Sequence, residues 1–414
     1  MNTAQKTRAG EHLSMIMKEF YLGQLRDAAA GKFCAWIAII VPVELLRGFD
    51  MIVAIPENYS AMTAAKGAGP GRCDRAHELG FSRDLCSYAR IDFGNNLYPL
   101  PGAPFAPLPR PDLLISDTNN CSLLVKWFDV YHREYRAPHF ILDVPFCYED
   151  QKEPDLNYIV DQYHDLIKTI ETMTGQTCDY EKVRRAVQNT AIALKEWKRF
   201  ARAALSVPSG ITAFDTFVHM ASYITLRGTE ELVEQYRLLA DDTEELVARG
   251  AFPVKEERYR LLWDNIAPWH QLRKMSARLA GLKANIVAAT YTSCMGTLEG
   301  GVDLYEYDGG DPLRYLARIQ NSSVCPYGLN LRYRVMEELI RRYSIDGVVF
   351  ASNRSCKVYS VMQLDLSRMV RERLGVPVVM VDVDHADVTR YSEEAVFSRI
   401  EALLEQIDVK KNSL

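Results

Sequence analysis

One pattern is written twice in this chain: apolar strand, polar loop, cysteine, helix, proline, strand, aspartate. In residues 345–384 a β-branched run (IDGVVFAS) leads through a polar loop to Cys356, then to an amphipathic stretch expected to be helical over 358–374, then to VPVVMVDVD. In residues 113–145 LLISDTNN leads to Cys121, a helix expected over 122–135, and APHFILDVP, so that Asp143 echoes Asp382. An apolar run, a short loop, a periodic helix and a second apolar run form a βαβ unit. Strands that read as continuous apolar runs are parallel and covered on both faces. Such folds place their chemistry beyond the carboxyl ends of the strands. Two like units therefore predict two α/β lobes, each presenting one thiol from the same edge, with the thiols facing each other across a cleft.

Bulk properties narrow the function. The 49 basic and 54 acidic residues leave a formal charge of -5, which supplies no electrostatic attraction to nucleic acid or to a membrane surface. No apolar run approaches the roughly 20 residues a spanning helix needs, and the longest, residues 33–42, is too short and too far from the start to act as a signal peptide. A cytoplasmic location is the expectation. Nine cysteines in a reducing compartment are not expected to form disulfides, and with no CxxC pair in the chain any metal site must be assembled by the fold.

Taken in order, residues 1–154 read as an N-terminal helix followed by a first α/β lobe. In VPVELL, Glu44 follows Pro42 near the start of a short helix, where the helix dipole favours a carboxylate and is sufficient to explain it. Residues 60–72 are small and glycine-rich and are expected to be a loop. Cys86 opens the helix that follows. Residues 155–250 are helical throughout, with Asp179 a cap and Gly250 a stop; His164 and His219 fall inside this block and read as ordinary helix histidines. Residues 251–414 form a second α/β lobe, in which NIVAATYTSC reads as a strand ending at Cys294 and Cys325 lies in a loop. The fold class is thus α/β: two Rossmann- or flavodoxin-like parallel-sheet lobes with a helical segment between them.

Cys86, Cys121 and Cys356 each precede a helix, so each thiol is expected at a positive helix end that lowers its pKa. Thiolates so placed suit iron–sulfur clusters, zinc or copper(I); three of them would leave one corner of a 4Fe-4S cube open. The competing reading is that these are buried packing cysteines, the role expected for Cys34 and Cys178. Cys147 and Cys294 carry weaker context, and Cys325 is placed to reach the same cleft.

The segments DLCSYARIDFG, NNCSLLVKWFDVYHREYRAPHFILDVPF, RGTEELVEQYRLLADDTEELVARG, YRLLWDNIAPW and NRSCKVYSVMQLDLSRMVRERLGVPVVMVDVDHAD together resemble the 2-hydroxyacyl-CoA dehydratase and benzoyl-CoA reductase family, across residues 36–407. The resemblance implies that Cys86, Cys121 and Cys356 ligate a 4Fe-4S cluster between the lobes. It also implies that an ATP-hydrolysing 4Fe-4S activator protein delivers one low-potential electron. An (R)-2-hydroxyacyl-CoA then loses water through a ketyl radical to give the enoyl-CoA. It raises Glu44 to a candidate acid/base residue, and implies a homologous second subunit in a heterodimer. Family alternatives are an aromatic ring reductase of the benzoyl-CoA type and a homodimeric, ATP-driven double-cubane reductase of small substrates, for which Cys147, Cys294 and Cys325 would be the additional ligands. With no G-x-G-x-x-G or Walker pattern in the chain, ATP hydrolysis is expected of the activator.

Overall fold

The computed structural model describes residues 7–100, 106–293, 297–298, 303–304, 306–322 and 328–413. The first part of the chain runs α1 (Arg8–Ala29), β1 (Cys34–Ile37), α2 (Val43–Leu46), β2 (Ile52–Ala54), α3 (Pro56–Ala65), α4 (Gly69–Glu78), α5 (Ser87–Asn96), β3 (Leu113–Asp117), α6 (Ser122–Tyr135) and β4 (His139–Leu142). A helical block follows: α7 (Glu153–Thr174), α8 (Tyr180–Ala201), α9 (Ala213–Leu226) and α10 (Glu230–Ala248). The last part comprises β5 (Tyr259–Asp264), α11 (Leu272–Gly281), β6 (Ala284–Ala289), α12 (Thr290–Ser293), the short antiparallel pair β7 (Thr297–Leu298) and β8 (Asp303–Leu304), α13 (Pro312–Ser322) and α14 (Leu329–Arg342). It closes with β9 (Gly347–Asn353), α15 (Lys357–Ser360), α16 (Gln363–Leu374), β10 (Val378–Val383) and α17 (Glu393–Asn412).

Each lobe holds a four-stranded, all-parallel sheet, in the orders β2-β1-β3-β4 and β10-β9-β5-β6. Counted within its own lobe, each sheet has the same order, 2-1-3-4. Both repeated units are adjacent parallel pairs, β3 with β4 and β9 with β10. The central strands β1, β3 and β5 are buried along their whole length, whereas the edge strands β4 and β10 are partly exposed, as apolar runs covered on both faces require.

The period of two in the second sheet divides its residues between two packing layers. Leu261, Trp263, Val349 and Ala351 join one continuous core that also takes in Trp36 and Ile115 of the first sheet and Phe217 of the helical block. Leu262, Val348 and Phe350 face the other way, against Met336 and Leu366.

Three expectations are corrected. Residues 60–72 are largely helical, belonging to α3 and α4: Gly67, at φ +76°, turns the chain between them, and Pro70 sits in the first turn of α4, where its missing N–H leaves nothing unpaired. The strand expected to run to Cys294 stops at Ala289, because Thr290 turns its hydroxyl back onto the Asp264 carboxylate (2.9 Å) and opens α12. The helix expected over 358–374 is broken into α15 and α16; Ser360 donates its hydroxyl to the Asn353 carbonyl (3.0 Å), and such side-chain bonds compete with helical ones. Among the described residues no helix is long and apolar enough to cross a membrane.

Candidate active site: three thiols on one cavity

Cys86, Cys121 and Cys356 are the N-cap residues of α5, α6 and α15. Two follow directly from topology: Cys121 and Cys356 come after the third strand of their respective lobes, at corresponding points of the 2-1-3-4 order, where loops open a crevice beyond the strand ends. Cys86 enters from the crossover between β2 and β3. All three line one cavity of about 110 Å³. They are half-buried, and no disulfide joins any two of the described cysteines.

The loops after the first strands complete the floor, with Ile39 after β1 and Ile266 after β5. Asn265, at φ 92°, turns the chain there; its side-chain amide donates to the Ala351 carbonyl (2.9 Å) and to Ser360 (3.3 Å), tying this loop to the turn that carries Cys356. A third wall comes from the helical block, as α9 contributes Met220, Tyr223 and Ile224. Sequence reading located the cleft between two lobes and did not foresee that wall, because an amphipathic helix shows which face is apolar but not what that face covers.

Helix-end amides do favour a thiolate here: those of Tyr88 and Ala89 act on Cys86, and those of Leu123 and Leu124 on Cys121. Burial is the larger effect. It pushes the Cys86 thiol well above its ordinary value and raises that of Cys121, and for Cys86 negative charge on Cys356 and Cys121 adds to the rise. At Cys86 and Cys121 the expected lowering is therefore reversed: desolvation, joined at Cys86 by repulsion from the other two thiols, outweighs the helix ends. Three thiolates around an apolar cavity are tenable only with cationic charge between them, which is what a thiolate-bound metal centre supplies.

Among the described residues no three His, Cys, Asp or Glu side chains are grouped closely enough to hold a single metal ion. A mononuclear zinc would need its thiolates about 2.3 Å from one centre. A cluster takes each thiolate on a different iron, so three thiols that line one cavity without meeting at a single point fit it.

Glu57 is the acid on the cavity wall. It lies in the first turn of α3, is 8% exposed, and accepts hydrogen bonds from the Ile39 amide (2.6 Å) and the Asn120 side chain (3.3 Å). Burial raises its pKa to about 8, with the nearby Asp117 and Asp92 charges adding to the rise. Sequence reading passed over Glu57, although Pro56-Glu57 repeats the signal noted at Pro42 and Glu44, an acid just inside a helix start behind a proline. Glu44 is also buried, but it is not on the cavity wall: Oε1 accepts from Thr190 (2.8 Å), and Oε2 has no partner among the described residues.

Cys147 is 3% exposed and packs with Leu262 and Val287 on the outer face of the second sheet, off the cavity. Cys294 and Cys325 lie outside the described residues. Cys34 and Cys178 are core residues. His164 is exposed and His219 buried beside Gln235, so neither departs from the ordinary reading.

A thiol-lined cavity at the carboxyl edges of two parallel sheets with one strand order lies where two-lobed α/β enzymes place their chemistry. The family model described as 2-hydroxyglutaryl-CoA dehydratase, D-component, matches residues 38–407, and the chain belongs to that family. It is 30% identical over 411 residues to the (R)-phenyllactyl-CoA dehydratase alpha subunit of Clostridium sporogenes, covering 99% of this chain and 98% of that one. It is 29% identical, with the same coverage, to the (R)-2-hydroxyisocaproyl-CoA dehydratase alpha subunit of Clostridioides difficile. A subunit of the benzoyl-CoA reductase of Thauera aromatica is 27% identical over 89% of this chain and 87% of its own.

Proposed function

We propose that this chain is the iron–sulfur subunit of a cytoplasmic 2-hydroxyacyl-CoA dehydratase, which converts an (R)-2-hydroxyacyl-CoA to the enoyl-CoA through a ketyl radical. A homologous second subunit would complete it, and an ATP-hydrolysing 4Fe-4S activator would supply the electron. The observation that carries this reading is the convergence of Cys86, Cys121 and Cys356 with Glu57 on one cavity. A 4Fe-4S cluster held by the three thiolates would supply a low-potential electron and one open iron for the thioester carbonyl.

The chain's own residues supply the rest. The apolar walls, among them Ile39, Leu124 and Ile266, exclude water that would quench a radical or leak protons. Glu57 holds a proton near neutral pH, because burial and the nearby Asp117 and Asp92 charges disfavour the anion by more than the hydrogen bonds donated by the Ile39 amide and Asn120 favour it. A carboxyl so poised can give that proton to a departing hydroxide and take one back afterwards. Arg227 places a cation on the same wall, anchored on the Ile39 (2.8 Å) and Val41 (3.0 Å) carbonyls, and so offsets part of the negative charge the cavity would hold.

Because Cys147 faces away from the cavity, the described residues offer three thiolates to one site, which favours a single cube over a double cubane. Aromatic ring reduction is the second reading, favoured by the benzoyl-CoA reductase relative. The test is turnover under strict anaerobiosis with second subunit, activator, ATP and reductant present. Dehydration of (R)-2-hydroxyacyl-CoA esters, with benzoyl-CoA untouched, is the expected result; the reverse preference overturns it. Glu57→Gln should lower turnover roughly 10²–10⁴-fold while leaving iron content unchanged.

A further inference from the structure

Behind Cys86 lies a set of polar groups that the reaction above does not use. His385 follows the end of β10, is fully buried, and borders the cavity. Its Nε2 is 3.6 Å from Cys86 Sγ and 3.1 Å from Ser87 Oγ, while its Nδ1 is buried with no hydrogen-bond partner among the described residues. The ring stands edge-on to Tyr88 (centroids 4.3 Å apart, planes at 75°), and the His385 carbonyl accepts the Trp269 amide (3.0 Å).

A neutral imidazole carries one proton. On Nδ1 that proton would be a buried donor facing no acceptor; on Nε2 it faces a sulfur and a hydroxyl, so the surroundings select the Nε2–H form. Ser87 gives its own proton to Ser355, so its Oγ accepts from Nε2–H and shares that donor with the Cys86 sulfur. Its Oγ is 3.2 Å from Ser355 Oγ, and the Ser355 hydroxyl donates to Asp384 Oδ2 (2.7 Å). Asp384 is fixed in turn by the amides of Ala386 (3.0 Å) and Asp387 (2.8 Å). The turn carrying the imidazole is thus held rigidly against the Cys86 sulfur.

We propose that His385 is a positioning residue whose Nε2–H donates a hydrogen bond to the Cys86 thiolate and raises the reduction potential of the cluster that thiolate holds. This inference rests on the three-cysteine cluster proposed above. One-electron reduction places more negative charge on the cluster and its sulfurs. A fixed N–H donor bonds the more negative sulfur more strongly, so it stabilises the reduced form relative to the oxidised one. The apolar walls act in the opposite direction, and Arg227 on the cavity wall acts in the same direction as His385, so this contact is one of the terms that set how far down the potential lies.

The test is an EPR-monitored titration of the anaerobically purified protein with titanium(III) citrate as the one-electron reductant. His385→Phe should show a more negative midpoint than wild type at equal iron content, and His385→Gln, which restores an N–H donor, should return toward the wild-type value. As a measurement independent of any variant, the reduced wild-type cluster with 15N-labelled histidine should show a nitrogen coupling and a deuterium-exchangeable proton in pulsed EPR. An unchanged His385→Phe midpoint with full iron overturns this inference alone, as does the absence of histidine coupling in wild type. If His385→Phe cannot hold iron, the wild-type coupling decides. A wild-type chain that takes up no iron overturns the cluster reading itself.

Discussion

Burial keeps Glu57 a carboxylic acid at a pH where an exposed glutamate is ionised, and that has a thermodynamic signature. Its pKa is raised to about 8 in the folded chain, and those of the buried Asp92 and Asp117 to about 7, against roughly 4 in an unfolded one. Between those values the native state binds more protons than the unfolded state, so stability falls as pH rises through the window from about 4 to 8. Glu57→Gln removes one contributor. Its unfolding free energy should exceed that of wild type by more at pH 8 than at pH 5, a difference on the order of 3–4 kcal/mol; equal differences at both pH values would show that Glu57 is ionised in the fold. The acid itself was legible in principle, because Pro56-Glu57 carries the same cue as Pro42 and Glu44. It was hidden by the glycine-rich stretch behind it, which disguised α3 as a loop. Cys121 and Cys356 were legible because strand ends can be read from β-branched runs, and Cys86 only as a helix start; their protonation was not, since desolvation depends on neighbours from remote parts of the chain.

At the scale of the element, the cavity depends on helices arriving at fixed distances, and α5, which carries Cys86, is set by a glycine. A Cβ at Gly94 would lie 2.2 Å from the Arg72 carbonyl oxygen of α4, a backbone atom with no freedom to swing away. Gly94→Ala should therefore push α5 off α4, destabilising the protein by about 1–3 kcal/mol and weakening iron retention, as measured by thermal unfolding and iron content together; full stability would mean that the two helices adjust. Sequence patterns showed α5 and its start. They could not show this close approach, since an isolated glycine inside a helix is compatible with mere tolerance. The same limit explains the break between α15 and α16: periodicity continues across residues 358–374, and only the folded contacts of Ser360 with Asn353 and Asn265 interrupt it.

For the molecule as a whole, the repeated cysteine-bearing unit proved to be half of a larger correspondence, two sheets of identical strand order whose third strands each deliver a thiol. The parallel βαβ pairs were readable from apolar runs, but the full strand orders were not, because β1 pairs with β3 across an intervening strand and several helices. Nor could the role of α9 be read, as its contacts with the cavity arise from packing far along the chain. The central claim is that Cys86, Cys121 and Cys356 act together, and iron and acid-labile sulfide determination on anaerobically purified chains tests it most directly. Wild type should contain about four irons per chain, and serine at any one of the three positions should lower that content sharply while the circular dichroism of the fold persists; a variant that keeps its full iron would contradict the account.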